Sequence, residues 1–369
     1  MNKENFQTIF DCGFSKIRAG AFNRKNKDEN FYAESDFFVD RSNLEIKIQK
    51  IITSLEEDTN EYISNINLMI DSSKMLSVSI SLSKKLDGSK LKKKNIQFLI
   101  QEAKLQILKH YTNYNIMHII INNYKIDDVD YSNLPDEIKC HFLSLDIFFI
   151  CLPSDLVFYF KDIFLKLNIS IDKIICASYV KSINYKDNLN LSGCVSFIDV
   201  GFNKTSIISY IDDNILSLDV LPIGGNSITK DISKVLEIDL ITSEKIKTNL
   251  YQTQKLFRDW DTSPDILQKI ISARTQEILE LCAQSSASNF FELGQFKTLL
   301  MGGGLKIFDN KYKDKIKFLN HVEFLEETLE DICLSGFKFG ISLNKQEVVV
   351  VAKKQIKQGF FERLFHFFE

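Results

Sequence analysis

Ile9-Phe10-Asp11-Cys12-Gly13-Phe14-Ser15-Lys16-Ile17 returns later in the chain as Phe197-Ile198-Asp199-Val200-Gly201-Phe202-Asn203-Lys204-Thr205. Each copy runs from an apolar strand through a glycine turn into a second strand. A carboxylate at a strand end, two positions before a glycine, suits a hydrated magnesium ion while turn amides approach phosphate oxygens. A single D-x-G also occurs in ordinary hairpins, where it only satisfies turn geometry. Two copies sharing D-x-G-F-x-K, each between apolar strands, read instead as two related lobes whose turns face each other as a phosphate clamp.

A chain of 369 residues exceeds the size at which a single core stops growing, so two or more domains are expected. The hydrophobic fraction of 44% can fill them, and 4 prolines and 14 glycines argue against long disordered stretches. A net charge of −3 gives no basic field for nucleic acid. The 7 cysteines lack C-x-x-C spacing and read as reduced core residues, and the 5 histidines lack metal-ligand spacing. The polar start, Met1-Asn2-Lys3-Glu4-Asn5, predicts no signal peptide, and no stretch is apolar enough to span a membrane.

Periodicity lays out the rest. Leu44, Ile48, Ile51, Ile52 and Leu55 fall at helical spacing, and Val78, Ile80 and Leu82 alternate with serines as in a half-buried strand. Further segments predict a small α+β insertion: a helix from Leu91 through Leu108, strands at Ile116–Ile121 and Leu145–Cys151, and a helix after Pro153. Lys92-Lys93-Lys94 reads as a solvated helix end. Lys181 to Asn190 reads as a polar connector between the lobes. Late in the chain a strand, Phe296–Met301, ends in Gly302-Gly303-Gly304, which offers close backbone approach to a nucleotide or simply a tight turn.

A first phosphate turn, a second after mid-chain and a late glycine-rich turn, in that order, resemble the actin-like ATPase superfamily. More narrowly they resemble the FtsA family of bacterial cell-division proteins. Asp11 to Gly20 is similar to that family's D-x-G-x-S-K-I-x-A-G opening, and Pro222-Ile223-Gly224-Gly225-Asn226, Ile228 to Ile232 and Glu244-Lys245-Ile246-Lys247 add to it. The resemblance implies an α/β, two-lobed, ribonuclease H-like duplicated fold with an inserted α+β subdomain and a C-terminal amphipathic helix. The implied parts are first-lobe core 1–76, insertion 77–165, return to the core 166–192, second-lobe core 193–226, small subdomain 227–294, core again 295–340, connection 341–352 and helix 353–369.

It also implies ATP with magnesium. Asp11 and Asp199 would face the ion through water; Gly13, Ser15, Lys16, Gly201, Asn203 and Thr205 would approach phosphates. Glu244 and Lys247 would meet ribose and adenine, and Gly302, Gly303 and Gly304 would form the adenosine turn. Read without the resemblance, Glu244 and Lys247 are a helical surface pair three apart. The family's G-G-G-T-T-D stretch is here Gly201-Phe202-Asn203-Lys204-Thr205-Ser206, with serine in the last carboxylate's place, so turnover is expected to be weak or absent and ATP to act as a conformational ligand.

The implied partners are other copies in a filament, later division proteins through the insertion, and the C-terminal peptide of the tubulin-like FtsZ. For that peptide Arg274 and Glu277 in Arg274-Thr275-Gln276-Glu277-Ile278-Leu279 are candidates, or else an exposed helical ion pair. The chain's end supplies its own argument. Lys353 and Lys354 precede Phe360, Phe361, Arg363, Leu364, Phe365, Phe367 and Phe368, a stripe suited to the interface of an anionic membrane. That predicts a peripheral membrane protein, which the resemblance would place on the cytoplasmic face of the bacterial inner membrane at the division site. A terminal helix docked on the protein is the other reading of that stripe. A PilM-like pilus scaffold and a small-molecule kinase of the same superfamily are the rival functions; the second would need a base near the phosphates.

Overall fold

Two sheets repeat each other strand for strand. The structure, a computed structural model, describes residues 5–26, 28–36, 43–135, 138–248, 264–290, 296–304, 322–341 and 347–348. In the first sheet β1 (Phe6–Cys12), β2 (Lys16–Asn23) and β3 (Asn30–Asp36) form an antiparallel meander, and β4 (Asn65–Ile70) and β9 (Ser170–Cys176) add in parallel, giving the order β3-β2-β1-β4-β9. In the second, β10 (Cys194–Val200), β11 (Thr205–Ile211), β12 (Asn214–Leu221), β13 (Lys297–Met301) and β14 (Val322–Phe324) give β12-β11-β10-β13-β14 with the same senses. The duplication read from one nonapeptide therefore extends to whole sheets, and the expected two-lobed α/β fold is present.

Helices cover the sheets where apolar spacing requires. α1 (Leu44–Thr59) buries Leu44, Ile48, Ile51, Ile52 and Leu55, the five positions picked out by periodicity. Between β4 and β9 lies the insertion: β5 (Leu76–Lys90), α2 (Lys93–His110), β6 (Tyr114–Ile126), β7 (Val129–Tyr131) and β8 (Lys139–Pro153), in a sheet ordered β5-β8-β6-β7. It has its own core, with Leu99 and Ala103 of α2 among Leu143, Leu145 and Phe149 of β8. α3 (Ser154–Lys166) turns its apolar face to the first lobe, where Phe164 meets Phe10 edge-on at 5.4 Å.

The stretch read as a polar connector is a helix, α4 (Ala177–Asn188), and nine of its twelve residues are buried. Its buried lysines and asparagine find partners. Lys181 reaches Asp199 and Glu327, Asn184 donates to Ser335, and Lys186 meets Asp213. After β12 come α5 (Gly225–Leu236), α6 (Leu240–Thr248) and α7 (Pro264–Asn289); after β14, α8 (Leu329–Ile341) returns to the first sheet. There Gly336 allows close packing, since a Cβ would fall 2.5 Å from the Met69 sulfur. α4 and α8 thus cross between the lobes in opposite senses, and one apolar core runs through both sheets.

Residues 347–348 lie against β6: Glu347 bridges Ile120, and the Val348 N–H donates to the Ile119 carbonyl at 2.8 Å. Beneath them is the fully buried His118. Its Nε2 accepts the Cys176 N–H at 2.9 Å, so Nδ1 carries the proton toward Glu347 at 2.7 Å. The polar loop with Trp260, the segment 305–321 and the whole of 349–369 lie outside the described residues.

Candidate functional site

The two glycine turns close in the same way. The Gly13 N–H donates to the Lys16 carbonyl at 3.1 Å, and the Gly201 N–H to the Lys204 carbonyl at 2.9 Å. A Cβ on either glycine would sit 3.0 Å from that carbonyl, so turn geometry alone already favours glycine at both places. Both turns face one cavity between the lobes of ≈ 550 Å³, a volume ordinary for a small-molecule site.

Asp11, Gly13, Ser15 and Lys16 line it from the first lobe; Asp199, Gly201, Gly303 and Gly304 from the second; Glu244 and Lys247 from α6. Three expected residues stand behind the wall. The Thr205 hydroxyl donates to the Ile223 carbonyl at 2.9 Å, and the Asn203 side-chain oxygen accepts from the Asn226 amide at 2.9 Å. Gly302, at φ +102°, backs onto the Asp199 carboxylate, and a Cβ there would also fall 2.5 Å from the Val200 carbonyl oxygen. Gly303 differs: a Cβ would meet nothing within 4 Å, so this backbone is open to the cavity.

Lys247 is nearly buried, and all three of its donors are used: on Glu244 at 2.5 Å, the Gly225 carbonyl at 2.9 Å and the Thr229 hydroxyl at 2.8 Å. Burial outweighs the Glu244 carboxylate, so its ammonium lies below its ordinary pKa. Glu244 and Lys247 thus brace α6 against α5 while presenting one edge to the cavity. Lys16 turns back within its own lobe, to Glu34 at 2.9 Å and Asp36 at 3.3 Å.

The carboxylates expected to face a metal are both ion-paired. Asp11 meets Arg18, its cross-strand neighbour, at 2.9 Å. Asp199 meets Lys181 at 3.0 Å, and Lys181 also holds Glu327 at 3.1 Å. Asp71, at the end of β4, accepts Lys204 at 2.9 Å and the Ser178 N–H at 3.0 Å. Burial pushes the Asp11 carboxyl up despite Arg18, and Glu327 up despite Lys181. Burial acts on Asp199 too, but there Lys181 and Lys204 outweigh it and the carboxyl lies below its ordinary value. Among the described residues no cluster of His, Cys, Asp and Glu is arranged to hold a metal ion.

Sequence reading missed Arg18, Asp71, Lys181, Lys204 and Glu327 as site residues. Two signals were available: Arg18 falls on the same strand face as Lys16, and Ala177, Val180 and Ile183 place Lys181 within helical apolar spacing. Asp71 and Glu327 carry none, being brought in by tertiary structure alone.

On α7, Arg274 is occupied within the protein. It grips Asp231 of α5 through Nε at 2.6 Å and Nη2 at 3.0 Å, and Glu277 through Nη1 at 2.5 Å. Of the pair, Glu277 is the half-exposed member. Lys353, Lys354, Phe360, Phe361, Arg363, Leu364, Phe365, Phe367 and Phe368 lie outside the described residues. No described helix is long and apolar enough to cross a membrane.

The family described as Cell division protein FtsA matches over residues 196–295. Cell division protein FtsA of Buchnera aphidicola subsp. Schizaphis graminum is 27% identical over 179 residues, 48% of this chain and 42% of that protein. The match therefore spans less than half of that relative's length. Cell division protein FtsA of Buchnera aphidicola subsp. Acyrthosiphon pisum is 23% identical over 85% of this chain and 84% of its own. Among solved structures, the PilM-PilN type IV pilus biogenesis complex superposes with a TM-score of 0.66 at 11% identity, over 91% of this chain and 98% of that one, a likeness of fold. The chain thus resembles the bacterial cell-division protein FtsA and has the fold of the actin-like ATPases.

Proposed function

We propose that this chain is an FtsA-like division protein that binds ATP between its lobes, polymerises, and tethers FtsZ filaments to the cytoplasmic face of the inner membrane while recruiting later division proteins through its insertion. The observation that carries the reading is the convergence of two matching hairpins and the open Gly303 backbone on one cavity. Gly13, Ser15, Lys16 and Gly201 would approach the phosphates; Glu244, Lys247 and Gly303-Gly304 would flank ribose and base. Contacts to both lobes would make ATP favour their closed arrangement, which is how a ligand that is not turned over can control assembly. Ser206, engaged by the Lys204 ammonium, offers no base, in keeping with slow or absent hydrolysis.

Magnesium at Asp11 and Asp199 fits less well. Each carboxylate already accepts an internal cation at 3.0 Å or less, so neither lacks the counter-charge a metal would supply. No step is therefore assigned to a metal.

Two measurements test the reading. Gly303→Val fills open space, so it should leave the melting temperature unchanged while weakening ATP binding by roughly tenfold or more in calorimetry, about 1.4 kcal/mol; unchanged affinity would remove ATP from this cavity. Full-length protein with ATP should carry FtsZ filaments into the pellet with anionic liposomes. Filaments left in the supernatant would remove the tether and leave a soluble PilM-like scaffold as the better account.

A further inference from the structure

The second hairpin is neutralised from outside itself. Opposite Asp11 stands Arg18, and their pair is complete within one hairpin. Opposite Asp199 stands Ser206, which brings no charge, so Asp199 takes its cation from Lys181 on the crossing helix α4. Lys204, in the place where the family pattern has a threonine, donates to Ser206 and crosses to Asp71 of the first lobe. The side chains of Lys204 and Lys181 are 6% and 8% exposed, so little water competes for them. Lys181 thus occupies Asp199, and Arg18 occupies Asp11, the two carboxylates a divalent ion between the turns would face, while Lys204 supplies the cation beside them at Asp71. Asp71 is fixed further by the Ser178 amide at the start of α4. The cavity lining as a whole carries six carboxylates and six cationic groups, so its charge is balanced without a metal.

We propose that Lys204, supported by Lys181, is the built-in cation of this cleft, and that the cleft takes the phosphate chain of a nucleotide without a divalent metal. This rests on the reading of the cleft as an ATP site. Lys204 bridges the lobes to Asp71 within the cavity that both glycine turns line, and a buried carboxylate deprived of its partner needs another cation.

The experiment is calorimetric titration of the full-length protein with ATP, in EDTA and in magnesium. The two affinities should agree within about threefold, whereas Lys204→Thr should bind at least roughly tenfold more weakly in EDTA than in magnesium. Lys204→Arg, which keeps the charge, should again bind alike in both buffers. Wild-type binding that falls by about tenfold in EDTA overturns this proposal and leaves the ATP reading standing. No binding in either buffer overturns both. A Lys204→Thr protein that folds and binds alike in both buffers removes the role from Lys204. Should that variant fail to fold, the wild-type comparison alone decides metal independence.

Discussion

The hairpins at Asp11 and Asp199 share a string of residues, a turn closure and a place at the end of a central strand, but not their surroundings. At the first, the turn residues Gly13 to Lys16 are only half buried and the charges pair locally. On the second sits the start of α5. The Gly225 N–H donates to the Gly201 carbonyl at 3.0 Å, the Asn226 N–H to the Phe202 carbonyl at 2.7 Å, and a Cβ on Gly224 would fall 2.5 Å from the Gly201 oxygen. Helix amides that would otherwise want a ligand or water are thus satisfied by the hairpin. A repeated motif fixes the turn; what packs on it and what stands opposite its carboxylate decide whether it is open or locked.

The largest effect expected from breaking this contrast is at Lys181. Lys181→Met strands both Asp199 and Glu327 and should cost about 3–5 kcal/mol in urea unfolding. Arg18→Met should cost less, because it removes the ion pair of one carboxylate, Asp11, where Lys181→Met removes those of two. Equal costs would mean that the two hairpins are neutralised equivalently. Next is Gly224→Ala, whose methyl meets backbone atoms on two sides and should lower stability by roughly 1–3 kcal/mol. Gly13→Ala meets one carbonyl at 3.0 Å and should stay within about 1 kcal/mol of wild type; a reversal would place the rigid turn in the first lobe.

Smaller still is a difference in acid response. Asp199, with its folded pKa depressed, contributes stability in full above the ordinary carboxylate value of about 3.9 and loses it as pH falls through the depressed value. Asp11 has the opposite sign, because its folded pKa is raised and falling pH relieves the cost of its buried charge. Urea midpoints from pH 6 down to about 3 should therefore fall less steeply at the acid end for Asp199→Asn than for wild type, and more steeply for Asp11→Asn. Parallel slopes would show that the two carboxylates titrate alike.

The duplicated sheets were legible because strand and turn signals are local: one repeated string fixed both hairpins, and apolar spacing picked out the five buried positions of α1. α4 was not legible as a helix, because its lysines and asparagines look solvated until partners from β10, α8 and the segment before it are folded around them. Asp11, Gly13, Lys16 and Asp199 could be read as cavity residues from the motif alone. The charge pattern could not, since Lys204 and Asp71 are brought together from opposite lobes. Arg274 and Glu277 lay at the right helical spacing for a pair, but Asp231, which holds Arg274, lies 43 positions away.

His118 carries a mechanical consequence. Its ring joins Glu347, near the chain's end, to the Cys176 amide that begins α4, and Lys181 is five residues further along that helix, about 7.5 Å at 1.5 Å per residue. Glu347, imidazole, helix cap and cleft ammonium lie in series. A pull on Glu347 and Val348 would therefore be borne by the strand edge of the insertion and, through one aromatic ring, by the helix that holds the lobes' charges together, so tension at this short segment and closure of the cleft would share a load path.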